Sequence, residues 1–101
     1  MSYNKEVHKA HFEVLIELLY SIKNNKISPS EVEEWLIKEI NPEFIYTQED
    51  TLLTDLYFTV LHFSFGEENI SDSEFEYFKE CIRGIRRHNL DEKNKLIKMH
   101  T

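Results

Sequence analysis

TLLTDLYFTVLHFSF, residues 51–65, places nine apolar or aromatic side chains in fifteen positions, with one carboxylate, Asp55, and neither proline nor glycine. Leu53, Leu56, Tyr57, Val60 and Phe63 recur at spacings of three and four, the period of one helix face. Asp55, Thr59 and His62 form a thin polar strip, while Phe58 and Phe65 fall off the main stripe beside Leu61. A helix so nearly apolar all round is usually covered on both sides. The other reading is that Phe58 or Phe65 is an aromatic anchor for a partner, ringed by carboxylates. Thr47, with Asp50 three residues on, is expected to open this helix, giving bounds of about 48–65, and Gly66 to close it in a left-handed conformation.

Working outward, Phe12, Leu15, Ile16, Leu19 and Ile22 predict a helix over about 4–24, stopped at Asn24-Asn25. Ser28-Pro29-Ser30-Glu31 reads as a capping box with proline at the first helical position. It starts a helix over 29–40 whose expected buried stripe is Val32, Trp35, Leu36 and Ile40. Asn41-Pro42 ends that helix, and an irregular segment is expected as far as Thr47. Ser71-Asp72-Ser73-Glu74 is a second capping box; Phe75, Phe78, Ile82 and Ile85 extend the pattern over 72–88, with a basic helical tail over 89–101. No run alternates with period two, so the expected class is all-α, a compact four-helix bundle with a short C-terminal helical tail.

The 101 residues suit one domain, 1–101, and 41 % hydrophobic residues can fill one core. No apolar run reaches the roughly 18 residues of a membrane span, and MSYNKEVHKAHFE has no apolar signal core. With the lone Cys81 no intramolecular disulfide forms, so a cytoplasmic, reduced protein is expected. His8 and His11 lie three apart, but there is no HExxH, no GxSxG, no P-loop and no glycine-rich phosphate cradle. The expectation is a protein without catalytic, cofactor or metal sites and without a membrane partner.

Charge carries the functional reading. Ten carboxylates lie between Glu43 and Glu80 against one cation, Lys79, whereas residues 81–101 hold six bases and two acids; the whole chain is −7. Asp72 and Glu74 complement the N-terminal end of a helix dipole, and Arg86 and Arg87 a C-terminal end. Capping does not account for Glu67, Glu68, Glu76 and Glu80. A concentrated negative field favours a basic partner and repels nucleic acid. The partner-binding set is therefore Glu67, Glu68, Asp72, Glu74, Glu76 and Asp55, with Phe58 and Phe65 as its aromatic members.

LLYSIKNNKISPSEVEEWL (18–36), then TLLTDLYFTVLHF (51–63), an acidic loop and SEFEYFKECIRGI (73–85) resemble the bacterial immunity proteins related to the colicin D immunity protein. The similar parts cover about residues 12–87. The resemblance implies a four-helix protein that binds, 1:1, the basic active site of a cognate nuclease toxin, a tRNase of a bacteriocin or contact-dependent inhibition system. In that family carboxylates near the end of the third helix occupy the site where the toxin holds tRNA. Here Glu67 and Glu68 match that acidic loop, while LHFSF before them has no carboxylate. The competing expectation is a prophage or plasmid regulatory module that forms a homodimer through Phe58 and Phe65.

Overall fold

A computed structural model describes residues 5–67 and 69–99, and among them all regular structure is helical. Six helices follow one another: α1 (Lys5–Lys23), α2 (Pro29–Glu39), α3 (Pro42–Thr47), α4 (Thr51–Ser64), α5 (Asp72–Ile82) and α6 (Leu90–Met99). The first four belong to one compact unit, Met1–Asn69, and the last two to another, Ile70–Thr101. The start expected at about Asn4 and the last two residues of the tail lie outside the described residues.

In the first unit α4 is the central element and packs on α1, α2 and α3. Its inner stripe, Leu53, Leu56, Tyr57 and Val60, meets Leu15, Leu18, Leu19 and Ile22 of α1 and Val32 and Leu36 of α2 in a buried core. Phe63, expected on that stripe, is only half-buried. Trp35 departs further: it is 47 % exposed, because Val32, Leu36 and Ile40 already fill the inner face of α2.

The helix ends follow from local chemistry. At Ser28 both halves of the capping box form: Ser28 Oγ accepts from the Glu31 amide at 3.3 Å and Glu31 Oε1 from the Ser28 amide at 3.0 Å. These bonds to Ser28 hold the Glu31 carboxyl below the usual carboxylate range. Segment 42–47, expected to be irregular, is a helix. Asn41 Oδ1 accepts from the Glu43 and Phe44 amides, and Pro42 sits at the first helical position. The same Asn-Pro pair thus stops one helix and starts the next.

The cap of α4 is Asp50, not Thr47. Asp50 Oδ1 accepts from the Leu52 and Leu53 amides at 3.1 and 3.2 Å, while Thr47 Oγ1 donates back to the Phe44 carbonyl and closes α3. Two histidines of α1 brace these caps. His8 Nε2 lies 3.0 Å from Asp50 Oδ2, and His11 Nε2 accepts from the Asn41 amide at 3.1 Å. Since Nε2 of His11 is the acceptor, its proton is on Nδ1, 2.8 Å from the Val7 carbonyl. The His11 ring also stacks on Phe44, with centroids 4.7 Å apart.

Three helices close the same way. After α1, α4 and α5 a residue with positive φ (Asn25, Gly66, Gly84) donates to the carbonyl three back, and its successor reaches the carbonyl five back. This is the Schellman closure, which glycine makes without strain from a Cβ. At Gly84 it ends α5 at Ile82, six residues short of the expected 88. Ile85 is then exposed, and Arg86 and Arg87, expected at the C-terminal end of the helix, lie beyond it.

In the second unit Tyr77 Oη donates to the Asn89 carbonyl at 2.9 Å and accepts from the Asn89 amide at 2.7 Å, fixing the 83–89 segment that leads into α6. Burial pushes this phenol above its ordinary range, opposed by the bond to Asn89. Lys93 of α6 lies 2.7 Å from Glu74 and stands 4.5 Å over the Phe78 ring. Apolar stem and paired head together hold α6 on α5.

Candidate protein interaction surface

Asp55, Phe58, His62 and Phe65 follow one another on α4 at spacings of three, four and three, so they occupy one face over about 15 Å of helix. Phe58 is 40 % and Phe65 58 % exposed, and His62 is exposed between them. Asp55 is half-buried. The inner stripe of α4 is satisfied by α1, α2 and α3, which leaves this outer stripe as an aromatic edge.

Alongside it stands Tyr46 of α3, 53 % exposed, its ring 6.0 Å from Phe58 and 6.4 Å from the buried Tyr57. Tyr57 and Phe58 rings are 5.9 Å apart, so three aromatics form one cluster. Burial raises the Tyr57 phenol above its ordinary range, and the nearby Tyr46 hydroxyl adds to this. Tyr46 is not among the expected site residues, because a segment expected to be irregular presents no helix face. The signal was present: once Asn41-Pro42 is read as a cap, Glu43 and Tyr46 fall three apart on one face.

Glu67 follows α4 and is exposed, with its carboxylate 3.5 Å from His62 Nδ1. Glu68 lies outside the described residues. Glu67 therefore closes the aromatic stripe at one end, and Asp55 closes it at the other.

The remaining carboxylates of the expected set belong to the second unit and behave differently. Ser71 Oγ accepts from the Glu74 amide at 3.1 Å, but the Glu74 carboxylate turns to Lys93 and its side chain is only 19 % exposed. Glu74 is withdrawn from the surface by an ion pair that the tail supplies. Glu76 is exposed and pairs with Lys79 at 3.2 Å. Glu80 meets Arg86 at 3.0 Å, and Arg86 meets Glu92 at 2.9 Å. Asp72 and Glu76 do come together, with Glu80, Tyr77, Arg86 and Leu96, around a cleft of about 330 Å³. In that cleft Arg86 pairs with Glu80, one of the three acids.

Charge thus divides by unit. Met1–Asn69 carries thirteen acids and five bases, net −8, whereas Ile70–Thr101 carries six acids and seven bases, net +1. Lys79 is not the sole counter-charge to α5, because Arg86 and Lys93 fold back onto it. No helix among the described residues is long and apolar enough to cross a membrane. Compared with models of known protein families, with characterised proteins and with solved structures, the chain matches none.

Proposed function

We propose that this protein is an immunity protein: an inhibitor that binds and blocks the basic active site of a cognate nuclease toxin in the cytoplasm, one to one and without chemistry of its own. The observation that carries this reading is the net −8 of Met1–Asn69 around an exposed aromatic edge, Tyr46, Phe58 and Phe65, with Asp55 and Glu67 at its ends. Such a field raises the encounter rate with a cationic protein, and desolvated aromatics at the centre of the contact then slow its release. Carboxylates stand where the phosphates of tRNA would lie, so occupancy alone excludes substrate. The four-helix arrangement of the immunity family supplies the scaffold in this reading, with α4 as its presenting helix and the acidic loop after it as the point of contact. A tRNase of a bacteriocin or contact-dependent system is the target that the family resemblance favours.

The test is recovery of partners on the tagged protein from its native cells at low and high salt, followed by a nuclease assay of the denatured and refolded eluate. A stoichiometric basic nuclease, active when freed and silent when this protein is restored, is the expected result. Lysine at both Glu67 and Glu68 should slow association and remove protection with the helical spectrum unchanged; full protection by that variant would sink the proposed face. The regulatory homodimer would use the same exposed phenylalanines, but the −8 charge of the presenting unit opposes bringing two copies together. Sedimentation of the protein alone separates the two readings, a monomer excluding the homodimer.

A further inference from the structure

We infer that the first unit carries a second contact site, a groove between α1 and α2 that takes one apolar side chain from a cationic segment of a protein partner. Val14, Leu18, Ile27 and the half-exposed Trp35 give it apolar walls, with Glu17 and Ser21 as its polar members, and it encloses about 80 Å³. That is well under the roughly 300 Å³ of a small-molecule pocket, which leaves a single side chain as the fitting occupant. Tryptophan at the rim of a small apolar pocket is the usual composition of an interface hot spot.

The surroundings choose the sign of the partner. Glu13 lies one turn from Glu17 on α1, and Glu31 and Glu39 lie four residues to either side of Trp35 on α2, all of them exposed. Against these four carboxylates stand Lys38, three residues from Trp35, Lys26, which adjoins Ile27, and Lys9, whose 3.9 Å approach to Glu13 is between exposed groups and weak; Glu34, which adjoins Trp35, adds a fifth acid. A second copy of this chain would bring the same carboxylates and the same −8 unit to the groove, so like charges oppose it. A segment bearing lysine or arginine around one aliphatic residue satisfies both the walls and the rim. This site is formed by α1 and α2, not by the outer stripe of α4, and it does not rest on the nuclease reading.

Trp35 is the only tryptophan in the chain and is its own reporter. The full chain is titrated at low ionic strength with a helical peptide of leucine and lysine, leucines at spacings of three and four, and with its leucine-glutamate counterpart. The expected result is a saturable blue shift of Trp35 emission with the cationic peptide and none with the acidic one. Glu17→Lys, at an exposed position, and Ser21→Met, which fills the groove, should each weaken that binding about tenfold, whereas Ile85→Ala, at an exposed apolar position of the second unit, should leave it unchanged. Equal response to both peptides, or full affinity in both groove variants, overturns the inference. A homodimer abolished by Ser21→Met would give the groove to a second copy and also overturn it.

Discussion

Met1–Asn69 and Ile70–Thr101 both use glutamates at helix starts and aromatic side chains along their helices, yet they handle charge in opposite ways. In the second unit Glu74, Glu76 and Glu80 each have a cation within 3.2 Å, two of them supplied by residues beyond Ile85. In the first unit acids outnumber bases by eight, and no pairing scheme can cancel the excess. Paired charges contribute to holding helices together; an unmatched excess contributes a field that reaches outward. Carboxylates of one type are thus paired in one region and in excess in the other.

That contrast breaks first at Lys93. Lys93→Ala leaves Glu74 without its buried partner and removes the contact on Phe78, and is expected to cost about 3 kcal/mol, read by chemical denaturation. Replacing the pair together, Lys93→Met with Glu74→Leu, should recover most of the loss. A cost near zero for Lys93→Ala would mean the second unit does not depend on its ion pairs.

Phe58→Ala makes the complementary case in the first unit. It should cost at least about 2 kcal/mol of partner affinity in calorimetry while shifting the unfolding midpoint only slightly, because the ring is already 40 % exposed. A large stability loss with affinity intact would turn the outer stripe of α4 into ordinary packing. Next in size is His11→Leu, which keeps the stacking partner of Phe44 apolar but leaves the Asn41 amide without its acceptor, at about 1–3 kcal/mol. Denaturation of the variant measures it.

The glycine closures sharpen the comparison at smaller scale. Gly66→Ala and Gly84→Ala place a Cβ in open space but keep φ near +75°, so each should cost only the left-handed strain, about 1 kcal/mol. A much larger effect at either position would reveal a contact that the closure alone does not require.

Alkaline pH compares one buried tyrosine from each unit. Burial raises the folded-state value for both Tyr57 and Tyr77 above the ordinary 10.0. Raised values favour the neutral phenol, so the stabilisation is fully present below 10 and is lost as pH rises through the folded-state values. Circular dichroism against pH should show stability falling above about 10. Tyr57→Phe should flatten that fall in the first unit at little cost. Tyr77→Phe should also flatten it, but at about 1 kcal/mol, because the Asn89 amide and carbonyl lose their shared partner.

Helix existence was legible wherever a cap and a period coincided. Ser28-Pro29-Ser30-Glu31 marks the start of α2 to the residue, and the spacing of Leu53, Leu56, Tyr57 and Val60 marks the inner face of α4. Boundaries failed where one short motif served two neighbours. Asn41-Pro42 both stops α2 and caps α3, and Thr47 and Asp50 are both good cap residues one helical turn apart. Gly84 lies inside an apolar period that continues past it to Ile85, and periodicity does not register a single left-handed residue.

By itself the sequence determined the all-helical class, the inner face of α4 along Leu53, Leu56, Tyr57 and Val60, two capping sites and the left-handed stop at Gly66, because each depends on side chains within a few residues of one another. It also determined the charge of every segment, which is a matter of counting. Only the tertiary structure decided which charges are cancelled, by bringing Lys93 to Glu74 and Arg86 to Glu80 and Glu92. Likewise it alone decided that Trp35 and Tyr46 stand at the surface while His8 and His11 brace distant caps, because burial and pairing depend on which helices meet, and local spacing carries no record of that.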